Sequence, residues 1–124
     1  LSLITSTRAR INDVINQNPT TITITRTTKS SDGAGGYSTS TSTLLAQTVR
    51  IYRKKTRVLN VDEGGWHSSV ITKMLAKYDA DVQEKTATNT DSFTYDGNTY
   101  EVKHVENRYI NGSIVKKTCE IEKV

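Results

Sequence analysis

Hydrophobic and polar positions along this chain mostly repeat every second residue. In 20–28, TTITITRTT, Ile22, Ile24 and Arg26 share one face while Thr21, Thr23, Thr25 and Thr27 share the other. A period of two marks a strand with one covered and one wet face, and threonine's branched Cβ suits that pleat. Thr48 to Arg53 repeats the pattern, with Val49 and Ile51 inward and Thr48, Arg50 and Tyr52 outward. The clearest stretch is Ser92–Val124, where Asp96-Gly97 and Asn111-Gly112 separate strand-like runs. Asn-Gly and Asp-Gly tolerate the positive φ of a two-residue hairpin turn. The first turn joins Phe93–Tyr95 to Thr99–Val105, and the second joins that run to Ser113–Val124. Tyr100 and Val102 oppose Glu101 and Lys103 across the strand. Val115, Cys119 and Ile121 share a face with Lys117. A meander this small requires further strands or a helix to cover it.

Two segments follow a helical period instead. In Ser6–Asn16, with Ile4 ahead of it, Ile11, Val14 and Ile15 approximate a 3.6-residue stripe, and Asn18-Pro19 ends it. In Val70–Tyr78, Val70, Ile71, Met74, Leu75 and Tyr78 fit a helix better than a strand with a bulge, so the pattern predicts a second helix. Ser38–Thr43 extends a returning strand, interrupted by Leu44, Leu45 and Ala46. The expected organisation is an N-terminal helical segment, 1–19, and a β-domain, 20–124, with flexible loops at 29–43 and 54–69. The fold class is mainly β: a small β-barrel or curled antiparallel sheet of about six strands with an N-terminal helix.

Composition narrows the chemistry. With one Phe and one Trp, the six tyrosines carry much of the aromatic packing. No apolar run approaches the length of a membrane span. Lys and Arg number nine against four acids over 1–63, and eight against nine over 64–124, so the net charge of +4 lies in the first half. It concentrates at Arg50, Arg53, Lys54, Lys55 and Arg57, a run that faces either a polyanion or plain solvent. The lone Cys119 excludes an internal disulfide and sits on an apolar face, as a buried structural thiol would.

No motif assembles a catalytic centre. GxSxG, HExxH and CxxC are absent. The glycine-rich stretch KSSDGAGGY, 29–37, lacks the GxxxxGK[ST] pattern of a phosphate cradle. His67 and His104 have no ligands at metal-binding spacing, and Asp79, Asp81 and Glu84 lack the spacing of a calcium loop. The reading is therefore a non-enzyme with no cofactor and no metal. Trp66, after Gly64-Gly65, suits a loop anchor, a core plug or an interface residue.

Several runs taken together resemble the head–tail connector proteins of long-tailed bacteriophages and prophages, variously called head completion, stopper or head–tail joining proteins. They are TTITITR (20–26), DGAGG (32–36), QTVRIYR (47–53), MLAKYDADV (74–82) and DSFTYDGNTYEVKHV (91–105), in that order over nearly the whole chain. The resemblance implies a small β-barrel forming a homo-oligomeric ring, commonly of twelve copies, in the virion at the head–tail interface after assembly in the host cytoplasm. Such a ring lies beneath the portal or adaptor protein, closes the DNA-filled capsid and offers the attachment surface for a tail terminator or tube protein. It also implies a loop projecting toward the packaged double-stranded DNA, for which 29–37 and 54–69 are the candidates. On that reading Arg50, Arg53, Lys54, Lys55 and Arg57 line the passage through non-specific phosphate contacts or bridge to acidic groups of a neighbour. Asp32, Gly33, Gly35, Gly36 and Trp66 are the loop or interface candidates. Unpaired strand edges give such subunits a route to side-by-side assembly. The alternatives are a small nucleic-acid-binding β-barrel, expected to interleave exposed aromatic and basic residues, and a tail-completion protein of the same particle.

Overall fold

The computed structural model describes residues 2–31, 33–60 and 65–124, with only the strand backbone described at 56–60 and 65–69. A helix, α1 (Leu3–Gln17), precedes eight strands: β1 (Thr20–Ile22), β2 (Thr25–Ser31), β3 (Tyr37–Thr43), β4 (Gln47–Asn60), β5 (Gly65–Lys77), β6 (Asn89–Tyr95), β7 (Asn98–Ile110) and β8 (Ser113–Lys123). All pair antiparallel in one sheet, in the order β1-β4-β5-β8-β7-β6-β2-β3.

The ladder is open, with β1 and β3 at its ends, so the curled sheet is the correct half of the barrel-or-sheet expectation. Among the described residues eight strands stand where about six were expected, because 20–28 breaks in two at Thr23-Ile24 and because 70–78, read as a helix, belongs to a strand. That break controls the shape. Strands first and seventh in a flat sheet lie about 29 Å apart at the usual ~4.8 Å spacing. Yet β1 passes to β2 through two residues, a reach from Ile22 to Thr25 of at most about 11 Å. The sheet must therefore bend around its core, and β1 does touch β6.

Inside the bend, Ile22, Ile24, Val49, Ile51, Met74, Ala76, Val82, Phe93, Tyr100, Val102, Cys119 and Ile121 form the core. The Phe93 and Tyr100 rings, partners across β6 and β7, stack at 6.1 Å. On the outer face α1 lies across β4, β5 and β8. Ser2 caps it, its hydroxyl accepting from the Thr5 N–H, and Ile15 is its buried anchor. Arg8 ties the helix down, donating to the Ile114 carbonyl and stacking its guanidinium 3.7 Å from the Tyr78 ring.

The predicted helix over Val70–Tyr78 is a strand, part of β5. Met74 and Ala76 enter the core, while Leu75, opposite Arg50 in the ladder, is buried on the helix-covered face. A strand covered on both sides loses its alternation and imitates a helical stripe. Both turn expectations hold. Asp96 and Gly97 take φ of 51° and 75°, and Asn111 and Gly112 take 49° and 79°, so each hairpin closes on two residues in the left-handed region.

The expected flexible loops at 29–43 and 54–69 are instead mostly hairpin strand. Residues of β2 and β3 pair from Thr25↔Thr43 to Ser31↔Tyr37, and β4 and β5 pair out to Asn60↔Gly65. The serine and threonine run of 38–43 satisfies its backbone as a ladder, which bare loop would leave to water.

Candidate functional site

Strand registers set the two hairpins pointing out of the body in opposite directions. β6 supports β2 only as far as Thr28↔Asn89, and the remainder heads past the end that carries the Asn111-Gly112 turn. β8 supports β5 only from Thr72↔Ile121, so the hairpin beyond Arg53↔Thr72 heads past the end carrying the Asp96-Gly97 turn. Its strands continue for seven residues to Asn60, about 20 Å of two-stranded ribbon at ~3.3 Å per residue.

The basic run divides along β4. Arg50 is half-buried and donates from Nη1 to the Val14 carbonyl at 3.1 Å, so it clamps the last turn of α1 onto the sheet. Arg53, Lys54 and Lys55 are exposed at the root of the ribbon and form no ion pair among the described residues. In the ladder they stand opposite Thr72, Ile71 and Val70, none of them acidic. Strand alternation puts Lys54 on the face of Arg50 and Tyr52, and Arg53 and Lys55 on the other. The backbone of Arg57 and Trp66 continues the ribbon, and their side chains and that of His67 lie outside the described residues. In the opposite hairpin Gly33 and Gly35 take φ of 80° and 84° at the tip. Gly36 follows them, half-buried, and Asp32 lies outside the described residues.

A second constellation has no motif in the sequence to mark it. Asp91 on β6 is 0% exposed and faces Arg26 on β2, its ladder partner. Arg26 Nε and Nη2 donate to the two Asp91 oxygens at 2.8 and 2.9 Å, and Nη2 also reaches Asp81 at 2.9 Å. The Gln83 N–H donates to Asp91 as well, and Gln47 exchanges two hydrogen bonds with the Asp81 backbone. The carboxylate hydrogen bonds hold the Arg26 pKa above its usual value. The visible signal was Arg26 sharing the face of Ile22 and Ile24. An arginine on a core-facing position needs a buried acid. This network and the Lys117 Nζ bond to the Ala80 carbonyl fasten the 78–88 connector to the body.

His104 and Glu84 meet, Nδ1 to Oε1 at 3.5 Å, in a hollow also lined by Lys73, Glu106 and Glu120. Their side chains are 70% and 50% exposed, so water solvates both. Glu84 also accepts from the Val105 N–H, a bond that secures the connector to β7. Among the described residues no three His, Cys, Asp or Glu side chains are grouped to hold a metal ion. Cys119 is buried as expected, its thiol pushed up to about 12 by burial. Comparison with protein-family models and with curated proteins gives no match.

Proposed function

We propose that the chain is a structural subunit of a phage head–tail connector ring, closing the DNA-filled capsid and offering the surface to which the tail attaches. The reading rests on the resemblance to that family of five runs, from TTITITR to DSFTYDGNTYEVKHV, spread over nearly the whole chain. The geometry supports it by supplying what such a subunit would use. A compact curled body sends ribbons out of both ends, and one has Arg53, Lys54 and Lys55 at its root. A two-stranded ribbon is marginal alone, so its natural setting is against neighbours. Repeated around a ring, the basic roots of these ribbons would form a belt that meets phosphate without reading bases.

Electron microscopy of the protein assembled with portal-side and tail-side components tests the reading. The expected result is a ring on the particle axis, with the β4–β5 ribbon directed at the passage. A solitary subunit off the axis, or a chain that stays out of the particle, overturns it.

A further inference from the structure

The outer edge of β3 is unguarded. Among the described residues β3 ends the sheet and pairs only with β2. All seven residues from Tyr37 to Thr43 are exposed, and none is charged or proline. Exposed edges are ordinarily blunted by lysine, proline or a bulge. β4, the other long strand with a free margin, carries Arg53, Lys54 and Lys55 there.

The register shows which groups that edge presents. The Leu44 N–H donates to the Ile24 carbonyl, flanking the Thr25↔Thr43 pair, so Thr25↔Thr43 is a pair that exchanges no bonds itself. Alternating inward, Ser42, Ser40 and Ser38 turn their backbone groups toward β2. Tyr37, Thr39, Thr41 and Thr43 therefore turn N–H and C=O outward, away from the sheet.

We propose that this edge docks a second copy of itself, the two β3 strands running antiparallel across a two-fold axis at Ser40. In that register Thr39 meets Thr41 and Tyr37 meets Thr43, and each meeting joins two residues whose backbone groups point outward. About eight backbone hydrogen bonds result, all with standard antiparallel geometry. The side chains match as well, since the strand reads YSTSTST and is nearly its own mirror about Ser40. Serine lies over serine on one face, and on the other threonine lies over threonine with a Tyr37–Thr43 pair at each end, a favourable cross-strand pairing without like charges. A contact with β4 instead would set this strand against a row of cations. The product is a four-stranded ribbon, β2-β3-β3-β2, that hides in the free protein an edge otherwise open to any strand. A two-fold contact closes at two copies and builds no ring, so this inference and the connector reading stand or fall separately.

Sedimentation velocity of the purified chain, from about 1 μM to about 1 mM because the buried area is at the small end for specific contacts, tests it with two charge variants. Ser40→Lys and Ser40→Glu each place a charge opposite its own copy at the axis, on an exposed position that leaves the fold alone. Wild type should dimerise with concentration, each variant alone should be weakened at least tenfold, and their equimolar mixture should regain the dimer. Thr41→Pro removes an outward N–H while sparing the β2 ladder, and should also yield monomer with an unchanged circular dichroism spectrum. A wild type monomeric throughout the range, a dimer indifferent to Ser40→Lys, or a mixture that fails to recover would overturn the proposal.

Discussion

Arg26 and Asp91 carry the largest electrostatic commitment at the level of single residues. Desolvating a carboxylate is costly unless its partner and hydrogen bonds are all present, and Asp91 has both, in Arg26 and the Gln83 N–H. Removing one member strands the other. Arg26→Met should therefore destabilise the fold by about 3–5 kcal/mol, read from the urea midpoint. Adding Asp91→Leu should recover a large part of the loss, since the buried charge then goes too. The Lys85–Glu101 bridge, at 2.7 Å, behaves differently because it meets solvent. The hydrogen bond from Lys85 holds the Glu101 carboxyl below its usual range, and the same bond holds the Lys85 ammonium above its own. A lowered carboxylate pKa adds stability that is complete above the ordinary value of about 4.3 and fades as pH falls through the folded value. The raised lysine adds stability below about 10.4 that fades as pH rises through its folded value. Lys85→Ala should move the Glu101 titration upward, measured by carboxyl NMR. Cys119 should resist thiol reagents at neutral pH until the chain unfolds, because the reactive thiolate is suppressed by burial.

At the scale of elements, the two short turns and β5 teach opposite lessons. Asn111-Gly112 and Asp96-Gly97 announce themselves because the left-handed conformation admits few residues, and Gly112 at φ 79° uses that freedom. Gly112→Val should cost more than 1 kcal/mol through backbone strain, visible as a lower thermal midpoint. β5 is opaque because burial on both faces erases the signal that separates strand from helix. Met74→Ala there should cost about 2–5 kcal/mol, since Met74 is 0% exposed. The break in 20–28 was hidden for another reason. Ile22 and Ile24 keep perfect alternation while the backbone leaves one partner, β4, for another, β6, and alternation does not record which strand lies alongside. The candidate site was legible in the same uneven way. Lys54 and Lys55 read correctly as exposed charges, but Arg50 looked like their equal when it is a helix clamp. Its partner is a backbone carbonyl, which no side-chain pattern reveals. Asp91 was unreadable alone, because its partner Arg26 stands 65 residues away.

For the whole molecule, the ladder divides what holds the chain together from what reaches beyond it. The core cluster, the 78–88 connector and the helix contacts use β5 from Thr72 onward and β4 up to Arg53. Past that line β5 pairs with β4 alone among the described residues. Replacing 54–71 by a two-residue Asn-Gly turn should thus leave the curled body folded, with a thermal midpoint within a few degrees of the parent. A short I′ turn closes neighbouring antiparallel strands without splaying them, and the strand ends at Arg53 and Thr72 are already paired. If the ribbon reaches the passage of a connector ring, the shortened chain should still purify as a folded protein but fail to retain packaged DNA in particles. The paired substitution Lys54→Glu with Lys55→Glu should reproduce part of that failure with the ribbon intact, and more so at low salt, where phosphate contacts are strongest. DNA retention by nuclease protection of filled particles measures both. Full retention by the shortened chain would remove the ribbon from the passage, and loss of folding would show that 54–71 belongs to the body.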